Sequence, residues 1–273
     1  MDRLATLLDH FAFTASTFHH GRFCGISQYD AARPVGYVHL LRAGQLHFID
    51  DQGRSTRLEA PSLMLMIRPR VHRLVASDAD AAELVCATLA FSGGPDNPLA
   101  RALPDLMVCP LSALPGVQAS CEWLFAEAQG DECGKALVLN RLFELMVIQV
   151  LRHLLGSHSV PSGMLAGLAD KRLARALVPL HEAPAQDWSV EALAALAGMS
   201  RASFAAYFKV VVGETPGDYL ASWRVGLAQK LIRQGRPLAW VAGAVGYQSP
   251  SALARVFRRR TGMSPSEWRD SLG

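Results

Sequence analysis

The chain is poor in cysteine and carries no cysteine motif. Its five cysteines, at positions 24, 86, 109, 121 and 133, share no paired spacing. That excludes a disulfide framework or a compact zinc knuckle as the basis of the fold, and leaves free thiols in a reducing cytoplasm as the expectation. Long uninterrupted apolar runs are also missing. The longest candidate, Ala136 to Leu155, is broken by Arg141, Glu144, Gln149 and Arg152. A charge at mid-bilayer costs ~3 kcal/mol, so this segment is expected to be a helix of a soluble protein. The opening residues, MDRLATLLDHFAF, hold charges within their apolar stretch and no cleavage-like pattern behind it, so no secretory leader is expected. There is no glycine-rich nucleotide loop and no grouping of a nucleophile with a base. Nucleotide-dependent and covalent hydrolytic chemistry are therefore not expected.

What is present is two unlike halves. A length of 273 residues suggests two domains, and 50% hydrophobic residues with 19% charged ones suffice for ordinary cores. The net charge of +3 hides an asymmetry. From Asp170 onward there are 14 Lys and Arg against 8 Asp and Glu; before it there are 13 against 16. A basic half joined to a mildly acidic one points to a polyanionic partner for the former.

Between about residues 20 and 92, short apolar or alternating runs (YVHLL, QLHFID, SLMLMIRP, HRLVA, ELVCATLAF) are separated by turn residues, the pattern of a β-sandwich or small barrel. Pro95, Pro98 and Pro104 mark an exit loop. From about 113 to 156 the period becomes helical. Leu139, Leu142, Phe143, Met146, Val150 and Leu154 share one face, and Leu137, Leu145, Ile148 and Leu155 make a second apolar side. A helix apolar on two sides is expected to be covered twice, by its own domain and by a second subunit. The expected division is residues 1–157 as a sensing and dimerising domain, 158–169 as a linker, and 170–273 as a helical domain.

The helical half contains a repeat. Phe208, Gly213, Pro216 and Tyr219 recur as Phe257, Gly262, Pro265 and Trp268 at an offset of 49, and Gly198 recurs as Gly246 at 48. Each copy reads as a helix-turn-helix. Ser189 is a candidate N-cap, Ala194 or Ala242 allows close helix crossing, and Gly198 or Gly246 supplies the positive φ of the turn. Phe204 with Phe208, and Leu253 with Phe257, anchor the second helices. Their free faces would present Arg201, Ala202, Ala205, Ala206 and Lys209 in the first copy, and Ser249, Ser251, Ala252, Arg255, Arg258 and Arg259 in the second. Such helices fit a major groove, where arginine bonds guanine in bidentate fashion. The alanines limit the first copy to methyl contacts and DNA shape, so Ser251 and Arg255 are expected to carry more base reading, with Arg201 and Lys209 on phosphate.

The stretches AxxAGMSRASFAAYFK and VAGAVGYQSPSALARVFRRRTGMSPSEWR resemble the AraC family of bacterial transcription regulators. The strands FHHGRFCG, YVHLLRAGQLHF and LMLMIRPRVHRL resemble the cupin-like front domain of a subset of that family. The resemblance implies an α+β multidomain chain with a cupin-like β-barrel, flanking helices, and an all-α domain with two helix-turn-helix units. It further implies a cytoplasmic, non-enzymatic regulator, commonly an activator. Its partners would be a promoter operator in double-stranded DNA, RNA polymerase and a second copy of the chain, with a small effector, metal or oxidant as signal. The cupin enzyme pattern of His-x-His followed by Glu is absent. Cys24, His39, His72 and Cys86 form a candidate set for zinc or another divalent metal, with His20 as a substitute; His47 looks exposed. Cys24 and Cys86 are also candidate redox thiols, whereas Cys109, Cys121 and Cys133 read as structural or incidental. A metal-dependent cupin enzyme with a nucleic-acid tether and a protein–protein adaptor are the alternative readings.

Overall fold

A computed structural model describes residues 2–94, 97–157 and 160–271. Pro95 of the expected exit loop and His158 and Ser159 of the expected linker lie outside these residues. The chain divides into two compact units. One comprises Phe13–Pro95 and Leu103–Gly156, the other Met1–Ala12, Asp96–Ala102 and Ser157–Gly273.

The division differs in detail from a single cut near residue 157. The helices α1 (Ala5–His10) and α2 (Pro98–Ala102) group with the C-terminal residues. Apolar burial explains this. Phe11 meets the Trp223 ring edge-on at 4.9 Å, and Pro98 packs so closely on Gly226 that a Cβ there would lie 2.9 Å from its ring. Arg3 donates to the Leu168 carbonyl at 2.9 Å. The expected linker itself contains a helix, α5 (Met164–Ala169), whose six residues are all buried.

The first unit is built on nine strands: β1 (Phe13–Arg22), β2 (Gly25–Tyr29), β3 (Gly36–Ala43), β4 (Gln45–Ile49), β5 (Ser55–Glu59), β6 (Ser62–Met66), β7 (His72–Ala76), β8 (Glu83–Phe91) and β9 (Leu106–Pro110). They form a five-stranded sheet in the order β1-β8-β3-β6-β9 and a four-stranded sheet in the order β2-β7-β4-β5. The expected barrel is thus a cupin-like jelly roll of two facing sheets that do not close into one cylinder. Between them, Tyr37, Leu41, Met64, Leu84 and Cys86 of one sheet meet Leu46, Phe48, Leu58 and Leu74 of the other. Strands β3 and β6 have buried residues at successive positions, the signature of strands covered on both faces.

Two helices complete this unit, α3 (Gln118–Gln129) and α4 (Lys135–Ser157). The helix α4 lies beside the edge strand β1. Asn140 accepts a hydrogen bond from Thr17 N at 2.8 Å, and Glu144 accepts one from Ala15 N at 3.2 Å. Its buried side is the expected one, Leu139, Leu142, Phe143, Met146, Val150 and Leu154, joined by Leu155. On its other side Leu137 is 62% and Leu145 37% exposed, with Ile148 half-buried. Among the described residues, no helix is long and apolar enough to cross a membrane.

The second unit continues with α6 (Lys171–Glu182), α7 (Val190–Ala197), α8 (Arg201–Val212), α9 (Pro216–Arg233), α10 (Leu238–Ala244), α11 (Pro250–Thr261) and α12 (Pro265–Asp270). The repeat read from sequence is reproduced in hydrogen bonds. After α7, Met199 N donates to Ala194 O at 2.9 Å; after α10, Tyr247 N donates to Ala242 O at 2.8 Å. These are the long bonds of a Schellman turn, made around left-handed Gly198 and Gly246. Ser200 and Ser249 cap α8 and α11, and Gly213 and Gly262 end them in the left-handed region. Tyr219 then meets Phe208 edge-on at 5.5 Å, as Trp268 meets Phe257 at 5.8 Å.

One side chain ties the copies together. Arg224, on α9, donates to the carbonyls of Pro184 at 2.8 Å and Gln186 at 2.9 Å, and its guanidinium lies 5.4 Å over the Tyr247 ring. A Cβ at Gly246 would lie 2.7 Å from Ala185 Cα and 2.8 Å from Arg224 Nη2. Glycine is therefore needed at 246 both for its φ of +86° and for the close approach of another backbone. Gly246→Ala should lower stability by roughly 2 kcal/mol or more, read as a fall in the denaturation midpoint; Gly198, where nothing lies within 4 Å of the same Cβ, should cost less when changed to Ala.

Candidate nucleic-acid interface

The helices α8 and α11 bury one narrow side each. Phe204, Phe208 and Val212 go inward from α8, and Leu253 and Phe257 from α11. Both helices pack on α9, which carries each copy's second helix on one continuous rod. The residues expected to meet DNA lie on the remaining faces. Arg201, Ala202, Ala206 and Lys209 are exposed, and Ala205 is half-buried. In α11, Ser251, Arg255, Arg258 and Arg259 are exposed, while Ser249 and Ala252 are half-buried. Ser249 faces inward because its hydroxyl accepts from Ala252 N at 3.2 Å and bonds Ser251 Oγ at 2.9 Å. It is a cap first, so its reach toward a base is limited.

The charges differ between the copies. Arg201 pairs with Glu191, ten positions away in the first turn of α7, at 2.9 Å. Arg255 and Arg259 have no hydrogen bond or ion pair among the described residues, and Arg258 lies 3.7 Å from Glu267. Arg260, the last of the arginine run, points elsewhere. It donates to the Asp218 carbonyl at 3.0 Å and pairs with the Asp218 and Glu214 carboxylates, fastening α11 to the start of α9. The run thus splits into two outward cations and one internal tie. Neither helix holds an acid, but α11 carries four arginines against one arginine and one lysine in α8, so the second copy presents the more positive outer face.

The candidate metal set does not assemble. His39 and His72 are fully buried and meet across the two sheets, Nε2 to Nε2, at 3.0 Å. His72 Nδ1 donates to the Arg70 carbonyl at 2.9 Å, so its Nε2 is the acceptor and His39 Nε2–H the donor. His39 Nδ1 is left buried with no partner. Cys86 pairs with His39 across β8 and β3. Cys24 is elsewhere. Gly25 opposes Ala76 and Tyr29 opposes His72, which puts Cys24 and His72 at opposite ends of one ladder. At ~3.4 Å per residue that separation exceeds ~14 Å, whereas atoms sharing one zinc lie within ~4 Å of each other. Among the described residues no three His, Cys, Asp or Glu are grouped to hold a metal. His20 is exposed, as is His47.

The two candidate redox thiols are equally separate. Cys86 pairs with His19, while Phe23, next to Cys24, bonds Ala82, so the thiols lie at different heights along β8. Burial pushes the Cys86 thiol well up, and the Asp78 carboxylate beside exposed Cys24 pushes that thiol up as well. Neither setting favours a thiolate. Cys121 is buried and Cys109 half-buried, in keeping with packing roles; Cys133 is exposed. The space between the sheets is filled by side chains, and a cleft of about 460 Å³ opens at their edge beside Phe48, Thr56, Leu106 and Val108.

Comparison with known proteins finds two family profiles on the chain. A cupin family profile matches residues 2–156, and a helix-turn-helix domain profile matches residues 193–271. A putative AraC-like transcription regulator of Streptomyces antibioticus is 32% identical over 98% of this chain and 97% of its own length. The RCS-specific transcriptional activator RclR of Escherichia coli is 29% identical over 86% of this chain and 84% of its own length. Among solved structures, the DNA-binding domain of AdpA in complex with a target DNA is 36% identical, covers 37% of this chain and 93% of that one, and has a TM-score of 0.36. The relatives are named regulators rather than enzymes.

Two outcomes are expected. Arg255→Ala should cost ~1–3 kcal/mol and relax discrimination at one base pair, measured by competition among single-base operator variants. Equal weakening on all sequences would refute that role. Acid should destabilise the chain from below pH 6.5. His39, His72 and His181 are held neutral by burial, His181 lowered to about 3, whereas the unfolded chain takes up protons near 6.5. The unfolded state then binds more protons, so each such histidine removes about 1.4 kcal/mol per pH unit below 6.5, until its own folded value is reached. Denaturation midpoints between pH 7 and 5 would register the slope, and His181→Asn should flatten it.

Proposed function

Because the chain belongs to the AraC-like family of transcription regulators, we propose that it reads operator DNA chiefly through α11, with α8 following DNA shape beside it. The observation that carries this reading is the contrast between the two outer faces. The caps and core anchors of the two copies match. Only α11 adds unbonded arginines to that scaffold, at 255 and 259, while three of the candidate positions in α8 are alanine and its Arg201 is engaged by Glu191. Arg255 is assigned to a base edge, and Lys209, Arg258 and Arg259 to phosphates. Ala202, Ala205 and Ala206 are assigned to thymine methyl contacts or to groove width.

The strand unit is assigned a sensing role, and the sign of regulation is taken as activation, in line with the name of the Escherichia coli relative. Cys24 is the exposed thiol available to an oxidant, whereas Cys86 is sealed in the core. Self-association is assigned to the outer side of α4, where Leu137 and Leu145 are exposed and Ile148 is half-buried. RNA polymerase is the expected partner of an activator already bound at a promoter.

Filter binding of the intact protein at rising salt tests the central reading. The logarithm of affinity should fall by ~0.9 per neutralised phosphate for each unit of log salt; negligible affinity at every salt would leave the adaptor reading in its place. Leu145→Asp should shift the sedimenting species from a pair to a single chain without changing the helix content.

A further inference from the structure

The first helix of the second copy carries a pair of side chains that the first copy lacks. In α10 the buried residues are Val241 and Ala242, while Trp240 is 52% exposed. The Arg236 guanidinium lies 5.5 Å over the Trp240 ring, and no carboxylate pairs with Arg236 among the described residues. Shifted by the 48 residues that separate Gly198 from Gly246, Arg236 and Trp240 fall on Trp188 and Ala192. Trp188 is turned inward, its Nε1 donating to the Ala183 carbonyl at 2.9 Å. Its neighbourhood is acidic, with Asp187 and Glu191, whereas from Gly235 to Gly246 the second copy holds no acid at all. Exposed indole, a guanidinium without a carboxylate partner and missing acids therefore coincide on one short helix and the residues that lead into it.

The place of that helix decides what it meets. In a docked helix-turn-helix the second helix enters the groove and the first crosses the sugar-phosphate backbone. We propose that Arg236 and Trp240 clamp the DNA backbone beside the groove that receives α11. The guanidinium, held flat by the indole face, pairs with one phosphate, and the indole N–H donates to an oxygen of a neighbouring phosphate. Both are positioning residues. They carry no base information, but they fix where Arg255 falls on the sequence. The proposal rests on the reading of α11 as the principal DNA contact, and it makes the second copy the anchor of binding energy as well as of base choice.

The test uses the full chain and two labelled duplexes, one of mixed sequence and one recovered from a random pool by the wild-type protein. Binding is followed by fluorescence anisotropy across a salt series for the wild type and for Arg236→Ala, Trp240→Ala and Trp240→Phe. Both side chains are exposed, so the melting temperature should stay at the wild-type value. Arg236→Ala should reduce the salt slope by about 0.9. Trp240→Ala should weaken binding by about tenfold on both duplexes alike, and Trp240→Phe, which keeps a ring but loses the N–H, should lose most of the same amount. An unchanged slope and affinity in Arg236→Ala and Trp240→Ala would overturn the clamp. So would a change in base preference. Intact DNA affinity with lost transcription from a reporter would assign this face to a protein partner instead. Salt-independent or absent binding by the wild type would defeat the DNA reading itself, an outcome distinct from failure of the variants alone.

Discussion

The helical unit depends on one guanidinium. Arg224 leaves the middle of α9, bonds two carbonyls in the loop between α6 and α7, and lies against Tyr247 in the turn between α10 and α11. Those elements belong to different copies of the repeat. Without this side chain, each copy would rest on α9 separately, with no charged group of α9 shared between the loop before α7 and the turn before α11. Hydrogen bonds from a charged donor to backbone carbonyls have direction, which apolar contacts lack. Gly246 is the counterpart of that constraint, since the Ala185 backbone and the guanidinium occupy the space a side chain would need. Arg260 repeats the logic at the other end, joining α11 to the first turn of α9.

On this common frame the copies have diverged in charge but not in architecture. Capping hydroxyls, left-handed glycines and edge-on aromatic pairs recur at matching positions. Those features determine whether a helix-turn-helix forms. The outward residues determine what it does, and they differ at almost every position. In the first copy three of the candidate positions are alanine and Arg201 pairs with Glu191, whereas the second copy leaves Arg255 and Arg259 without an ion pair among the described residues. Unequal loading of the surface thus distinguishes two copies of a single fold.

Much of this was legible in the residues. The repeat, its turns and its anchors followed from spacing, because caps and glycines act locally and leave a local trace. The strand runs β3, β4, β6, β7 and β8 were legible through their apolar patterning, whereas β5 and β9 were not, being short and largely outward-facing or half-buried. The metal set was misjudged for a geometric reason. His39 and His72 meet and Cys86 opposes His39 in the ladder, but no third ligand groups with the two histidines among the described residues, Cys24 lies at the far end of the ladder from His72, and strand register cannot be deduced from one sequence. The helix in the expected linker was hidden because glycine, serine and proline precede it, while its six residues are individually unremarkable and acquire meaning only through burial. The roles of Arg224, Arg260 and Glu191 were hidden because each is set by a partner distant in the chain or across a turn.

The bonds from Thr17 N to Asn140 and from Ala15 N to Glu144 have a consequence for how the strand unit can meet its own kind. The open border of a sheet is a template on which further strands polymerise, and such growth has no natural end. Here helix α4 has already taken two of the amides on the β1 border, those of Ala15 and Thr17. A further strand could pair with β1 at those amides only by displacing Asn140 and Glu144.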